Sequence, residues 1–123
     1  MKSKIAIVQN PPVYLDKTKT IALAVTYIEE AVKEGAQLVV FPEVYISGYP
    51  TWVWRLRPGG DMILSGEIHE RMSKSSVDLA SDDMRPIYEV AKEKGVVVVI
   101  GMNEIDSEFS GSTIYNTVVV VGD

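Results

Sequence analysis

Two short apolar runs on either side of one amphipathic helix constrain the fold of this chain more than any other feature. Residues 5–8 and 38–41 are apolar and rich in β-branched side chains, which is typical of strands buried on both faces of a sheet. Two strands joined by one helix are normally parallel with a right-handed crossover, so the sequence predicts an α/β fold. The apolar stripe of the helix comprises Ile21, Ala24, Val25, Ile28, Ala31 and Val32.

Cap residues and later apolar runs predict the remaining elements. Asp16 can cap the first helix and Gly35 can end it. A second helix is predicted after caps at residues 81–83, with Pro86 in its first turn and Gly95 at its end. Its inward-facing residues are Ile87, Tyr88, Val90 and Ala91. A strand at 96–102, a loop at 103–112 and a strand at 113–121 follow. An apolar strand left at a bare edge is an aggregation hazard, so we expect the natural chain to continue past Asp123.

Residues 43–80 form a long excursion between the second strand and the next predicted helix, with a short helical stretch around residues 67–74. Such excursions are functional or disordered, and its aromatic residues favour order. Glu43 directly follows the strand, at the sheet edge where ligands bind in open α/β folds. A carboxylate partly desolvated there by neighbouring Tyr and Trp side chains is a good proton acceptor. From the pattern alone, a surface carboxylate or a loop cap is the commoner role of a glutamate that follows a strand.

The segment around Glu43 has a recognisable form. Residues 35–50 read GAQLVVFPEVYISGYP, and this segment resembles the glutamate signature of the nitrilase superfamily of carbon–nitrogen hydrolases. Segments at residues 5–9, 69–71, 101–104 and 115–117 resemble its nitrilase and cyanide hydratase branch, so the resemblance covers essentially all 123 residues. It implies a four-layer α-β-β-α sandwich, of which residues 1–123 would be the N-terminal half of the carbon–nitrogen hydrolase domain.

The resemblance also implies a Glu-Lys-Cys triad that hydrolyses a nitrile to a carboxylic acid and ammonia. Glu43 matches the glutamate, which acts as general base toward the cysteine thiol. The lysine stabilises the negative charge that develops when the thiolate adds to the nitrile or amide carbon. The chain contains no cysteine, and none of its lysines lies in the family's lysine motif. We therefore expect this chain alone to be inactive.

Other functions remain open from the sequence. The chain could be a non-catalytic or degenerate nitrilase-fold module that binds or assembles, or part of an amidase or cyanide hydratase of the same superfamily. A nucleotide-binding domain is disfavoured because no phosphate loop follows the first strand. The family commonly pairs subunits, so the resemblance implies a homo-oligomer, and it implies no cofactor.

Several further side chains are candidates for a site. Tyr49 and Trp52 can line a substrate pocket, although packing of the excursion is the favoured role of Trp52 and Trp54. Glu104 follows a strand as Glu43 does, so it is a tentative pocket residue, with a loop-holding acid as the commoner role. We interpret Asn116, in an apolar strand, as a structural residue that satisfies a buried loop.

Two polar segments carry weaker signals. His69 is the only histidine, and without a second His or Cys to share a metal we predict a surface residue and no metal site. Residues 55–61 weakly suggest anion binding but mostly favour a turn, because they lack a phosphate-loop pattern.

Charge and hydropathy limit the partners. With 12 basic and 17 acidic residues the net charge is −5, which argues against nucleic acid or an anionic membrane as partner. The longest apolar runs are of strand length, and the N-terminal run is too short for a signal peptide. We expect a cytoplasmic protein acting on a small-molecule nitrile or amide.

Overall fold

One four-stranded sheet organises the chain in the computed structural model, which describes residues 2–122. The strands lie in the order β1-β2-β3-β4; the first three pair in parallel and β4 pairs antiparallel to β3. This confirms the predicted α/β class. The elements are β1 (Ile5–Ile7), α1 (Lys17–Lys33), β2 (Leu38–Val40), a 3₁₀ helix (Thr51–Trp54), α2 (Met62–Ser75), α3 (Arg85–Lys94), β3 (Val97–Ile105) and β4 (Ile114–Val121).

Local sequence sets the ends of α1 as predicted. The Asp16 carboxylate accepts a hydrogen bond from the Lys19 amide at 3.0 Å, which satisfies one of the free amides of the first turn. After the last turn, Gly35 has a φ of 87°, a left-handed conformation that costs glycine little. The apolar stripe then packs inward, with Ala24 and Ile28 fully buried.

The start of α3 differs from the prediction. Its N-cap is Met84, and no side chain caps it. Instead of capping, Asp83 accepts hydrogen bonds from the Asp78 amide at 3.0 Å and from the Lys17 ammonium at 2.5 Å. Pro86 lies in the first turn, and Gly95 ends the helix in the left-handed region, as predicted.

The side chains of α3 follow the predicted inward stripe with one exception. Ile87, Val90 and Ala91 are buried, whereas Tyr88 is 43% exposed. The expectation that Tyr88 faces inward is therefore wrong, because its position on the helix turns the ring to the solvent side.

The two faces of the sheet have opposite environments. Val39, Val98 and Ile100 lie on the face covered by α1 and α3 and are fully buried. On the other face, called the open face here, five apolar side chains are exposed: Ile5, Ile7, Val97, Val118 and Val120. The prediction of burial on both faces is therefore wrong for β1, whereas Leu38 and Val40 of β2 are half-buried. One covered face and one open apolar face are what half of a four-layer sandwich presents.

The strand after α3 is longer than predicted. Residues 103–105 belong to β3 rather than to a loop, because β4 pairs with them through the register Asn103↔Asn116 to Ile105↔Ile114. Polar side chains at Asn103 and Glu104 hid this continuation in the sequence. The helical stretch predicted at residues 67–74 is the longer helix α2, which buries only Met72 and Ser75.

Candidate active site

Glu43 lies in a turn that follows β2 and rests on β3. The Gly101 amide donates to the Pro42 carbonyl at 3.2 Å, and the Ile46 amide donates to the Gly101 carbonyl at 3.1 Å. The Asn103 amide then donates to the Ile46 carbonyl at 3.2 Å. These bonds continue the parallel pairing past the end of β2, so the backbone of Glu43 is fixed against the sheet.

Gly101 makes this close approach possible. A Cβ atom at position 101 would lie 2.4 Å from the Pro42 carbonyl oxygen, 2.5 Å from the Glu43 Cα and 2.7 Å from the Val44 nitrogen. Those neighbours are backbone atoms, which cannot move aside as the end of a flexible side chain can. A glycine inside a strand commonly marks such an approach. The glycine within β3 is therefore the sequence feature from which this close contact can be predicted.

The turn itself has an unusual backbone. Val44, Ser47 and Gly48 have φ angles of 44°, 84° and 88°, and a positive φ is rare for a β-branched residue such as valine. The conformation is held from several sides: the Leu15 amide donates to the Ser47 carbonyl at 3.1 Å, and the Ser47 hydroxyl donates to the Ser75 carbonyl. Strained backbone of this kind persists only where its surroundings determine it, and it clusters at functional sites.

The carboxylate of Glu43 has one protein partner within residues 2–122. The side-chain amide of Asn116 donates to Oε2 at 2.9 Å. Asn116 is exposed, so its interpretation as a residue that satisfies a buried loop is wrong. That role belongs to Asn103, which is buried and whose side-chain amide donates to the Gly48 carbonyl at 2.9 Å.

The expected desolvation of Glu43 is not observed in the described residues. Glu43 is exposed. Tyr45 does not cover it, since Tyr45 is 2% exposed and packs on Phe41 with ring centroids 5.0 Å apart. Burial, and secondarily the nearby Tyr27, raises the pKa of the Tyr45 hydroxyl to about 12, so this phenol does not serve as an acid or base near neutral pH.

A groove of 890 Å³ lies between the excursion and the end of the sheet. Tyr49 and Trp52 line it together with Asn103 and Asn116, so the groove borders the Glu43 carboxylate through its hydrogen-bond partner. Its other lining residues are Val44, Pro50, Val53, Leu56, Arg57, Pro58, Gly59, Asp61, Met62, Ser65, Gly66, His69, Met72 and Ile114. Most of this lining is apolar, which suits an uncharged organic substrate.

The tryptophans of the excursion have different environments. Trp52 packs edge-on against Tyr14, with ring centroids 6.2 Å apart, so it both packs the excursion and lines the groove. Trp54 is 77% exposed, and the prediction that it packs onto the body is wrong for the described residues.

Glu104 is not brought together with the groove. It lies on β3 one residue after Asn103, and side chains of successive strand residues point to opposite faces. Its carboxylate accepts a hydrogen bond from the Thr117 hydroxyl at 2.6 Å. Glu104 lines a separate cavity of 450 Å³ with Asp78 and Tyr115. The structure therefore gives no support to Glu104 as a residue of the groove beside Glu43.

The exposure of His69 and the turn at residues 55–61 are as the sequence predicts. His69 is exposed on α2 and lines the groove. Within residues 2–122, no three His, Cys, Asp or Glu side chains lie together as metal ligands would. Arg57 pairs with Asp61 at 2.8 Å and closes a turn. In the same part of the chain, no helix has the length and hydropathy to cross a bilayer.

Comparison with known families and proteins identifies the chain's relatives. The carbon-nitrogen hydrolase family model matches residues 4–123. An arylacetonitrilase from Aspergillus oryzae is 40% identical over 101 residues, which cover 82% of this chain and 28% of that protein. An aliphatic nitrilase from Rhodococcus rhodochrous is 39% identical over 106 residues, 85% of this chain and 27% of that protein.

A cyanide hydratase from Microdochium sorghi is 32% identical over 120 residues, 98% of this chain and 30% of that protein. The chain therefore spans about three-tenths of the length of these curated relatives.

Solved structures share the fold. An amidase from Nesterenkonia sp. AN1 superposes with a TM-score of 0.63 at 17% identity, over 98% of this chain and 40% of that chain. A glutamine-dependent NAD+ synthetase from Acinetobacter baumannii gives a TM-score of 0.59 at 23% identity, over 97% of this chain and 18% of that chain. These likenesses confirm the nitrilase-like fold. The family match and the curated relatives establish that the chain belongs to the carbon–nitrogen hydrolase family, in its nitrilase and cyanide hydratase branch.

Proposed function

We propose that Glu43 is the general base of an enzyme that hydrolyses a nitrile to a carboxylic acid and ammonia. The observation that carries the proposal is the placement of its carboxylate. The Glu43 backbone follows the carboxyl end of β2 and passes over Gly101. Its carboxylate is bonded to Asn116, which lines the groove together with Tyr49 and Trp52. The arylacetonitrilase and the aliphatic nitrilase among the relatives support a nitrile as substrate.

The proposed chemistry needs a thiol that residues 1–123 do not contain. Glu43 takes the proton of the thiol, the thiolate adds to the nitrile carbon, and the nitrogen takes up the proton to give a thioimidate. Water then adds and ammonia leaves; a second water releases the acid. The Nesterenkonia amidase has an active-site cysteine. In our proposal, the cysteine and the lysine of the triad both come from residues outside 1–123.

The open face of the sheet supports this division. Exposed apolar side chains such as Ile7, Val118 and Val120 line a surface that water solvates poorly. A second sheet packed on that face would complete the four-layer sandwich. In this proposal, residues 1–123 are the N-terminal portion of the hydrolase domain, and the second sheet brings the thiol to the edge where Glu43 lies.

Turnover by a matched pair of variants tests the role of Glu43. The assay uses the full-length protein expressed from the native reading frame that contains residues 1–123. We expect Glu43→Gln to lower nitrile turnover by about 100-fold or more, the usual contribution of a general base. Glu89→Gln makes the same change at an exposed position of α3 and should turn over as wild type does. Full turnover by folded Glu43→Gln would overturn the proposal.

Product analysis separates nitrile hydrolysis from the other candidate activities. Acid and ammonia from a nitrile indicate a nitrilase, an amide without ammonia indicates a hydratase, and consumption of amides alone indicates an amidase. The absence of cysteine in residues 1–123 favours one further candidate, a nitrilase-fold module that binds without catalysis. Saturable binding of phenylacetonitrile with no product from the full-length protein would establish that candidate instead.

A further inference from the structure

We propose that Asn116 is a positioning residue that orients the Glu43 carboxylate for proton transfer. The inference rests on the proposed function of Glu43 and adds a residue that acts through it. Asn116 lies 73 positions further along the chain, and its side-chain amide donates to Glu43 Oε2 at 2.9 Å.

Strand register brings the two residues together. In the antiparallel pair, Asn116 lies opposite Asn103 and Val118 lies opposite Gly101. Residues two apart on a strand share a face, so Asn116 lies on the same face as Gly101, over which the Glu43 backbone passes. A slip of β4 by one residue would move the amide to the helix-covered face.

The residue type at position 116 is unusual for its strand. β4 continues after Thr117 as four valines, and Asn is depleted in strands because it fits a pleated, half-buried surface poorly. Asn116 is exposed and makes no other side-chain hydrogen bond within residues 2–122. Its one bond is the contact with Glu43.

The backbone of the turn and the side chain of Glu43 are held by different contacts. Backbone bonds to Gly101 and the side-chain amide of Asn103 hold the two ends of the turn, and neither needs Asn116. An exposed glutamate side chain is otherwise free to change rotamer. With Oε2 held by Asn116, the second oxygen, Oε1, has no protein donor within residues 2–122 and is available to accept a proton.

The experiment compares two substitutions that remove the donor and keep the side-chain size. Asn116→Leu suits a strand better than asparagine does, and Asn116→Asp places a second carboxylate beside Glu43. In the full-length protein we expect kcat to fall about 10- to 100-fold in both, the cost of a misplaced catalytic group, with the larger loss in Asn116→Asp. KM and the melting temperature of Asn116→Leu should stay near wild type. Tyr115→Phe on the same strand serves as control and should keep wild-type kcat.

A double variant distinguishes the possible failures. In a Glu43→Gln background, Asn116→Leu should cause no further loss, because the two residues act as one unit. If Glu43→Gln alone keeps full turnover, the proposed function fails. If Glu43→Gln is inactive while Asn116→Leu and Asn116→Asp both keep wild-type kcat, only the positioning role fails. If Asn116→Leu keeps wild-type kcat and only Asn116→Asp lowers it, the hydrogen bond to Glu43 is not needed for turnover and the positioning role also fails.

Discussion

At the scale of single residues, the site depends on a glycine, Gly101. The absence of a Cβ at Gly101 lets the backbone of Glu43 lie against β3, and Asn116 then reaches its carboxylate. Neither contact is local in sequence, so neither follows from a motif around Glu43. Asp16 caps the start of α1, and Gly35 and Gly95 end α1 and α3. Each acts within one helical turn, which is why the sequence predicts them correctly.

Two glycine-to-alanine variants test the close approach of the Glu43 backbone to Gly101. Gly101→Ala places Cβ within 2.4 Å of a backbone oxygen, so the turn must shift. We expect the free energy of unfolding to fall by about 1–3 kcal/mol, as for overpacked sites. Gly66→Ala adds the same methyl group inside α2 with nothing within 4 Å and should raise stability by about 0.5–1 kcal/mol. Urea denaturation measures both; equal stability of Gly101→Ala and wild type would contradict the geometry.

At the scale of elements, an ion pair links the start of α1 to the segment before α3. The Lys17 ammonium contacts Asp83 at 2.5 Å, and both side chains are about three-quarters buried, with 26% and 22% exposure. The Asp83 carboxylate also accepts from the Asp78 amide. Burial alone would raise the pKa of Asp83, but the Asp78 amide and the Lys17 ammonium outweigh it and hold this pKa below its ordinary value of 3.8.

The lowered pKa predicts how stability depends on pH. Because the folded-state pKa of Asp83 is depressed, its stabilisation is present above pH 3.8 and is lost as pH falls through the lowered pKa. Asp83→Asn should lower the free energy of unfolding by about 1 kcal/mol at neutral pH. The difference in free energy of unfolding between wild type and Asp83→Asn should become smaller below about pH 3.8. Asp82→Asn, at an exposed neighbour paired with Arg85, is the control; a difference that stays constant with pH would refute the assignment.

The elements also show where sequence patterns stop being sufficient. β1 and β2 follow from continuous apolar runs, and α1 follows from the helical spacing of its apolar residues. The continuation of β3 through Asn103 and Glu104 does not, because polar residues there are determined by contacts with the turn and with Thr117. Likewise, α2 is mostly exposed, so it carries little of the apolar stripe by which helices are predicted.

At the scale of the whole molecule, the open face of the sheet dominates. The run of β-branched residues in β1 predicts burial on both sides, yet Ile5 and Ile7 are 54% and 72% exposed. A strand pattern reflects burial in the whole folded domain, and in the proposed four-layer sandwich a second sheet would bury the face that residues 2–122 leave open. The pattern and the proposed second sheet are therefore consistent with each other.

The exposed face predicts the behaviour of the 123-residue chain by itself. We expect it to associate, because β4 is an edge strand with Val118 and Val120 exposed. Val120→Lys should reduce the associated fraction measured by light scattering, whereas Ala22→Lys, at an exposed position of α1, adds the same charge and should not. A monodisperse wild-type monomer would contradict this expectation.

Intact-mass spectrometry of the full-length protein during a single turnover measures directly whether Glu43 activates a thiol toward a nitrile. We expect wild type and Glu89→Gln to gain the mass of the nitrile on a cysteine, and Glu43→Gln to do so about 100-fold more slowly. Adduct formation by Glu43→Gln at the wild-type rate would contradict this role of Glu43.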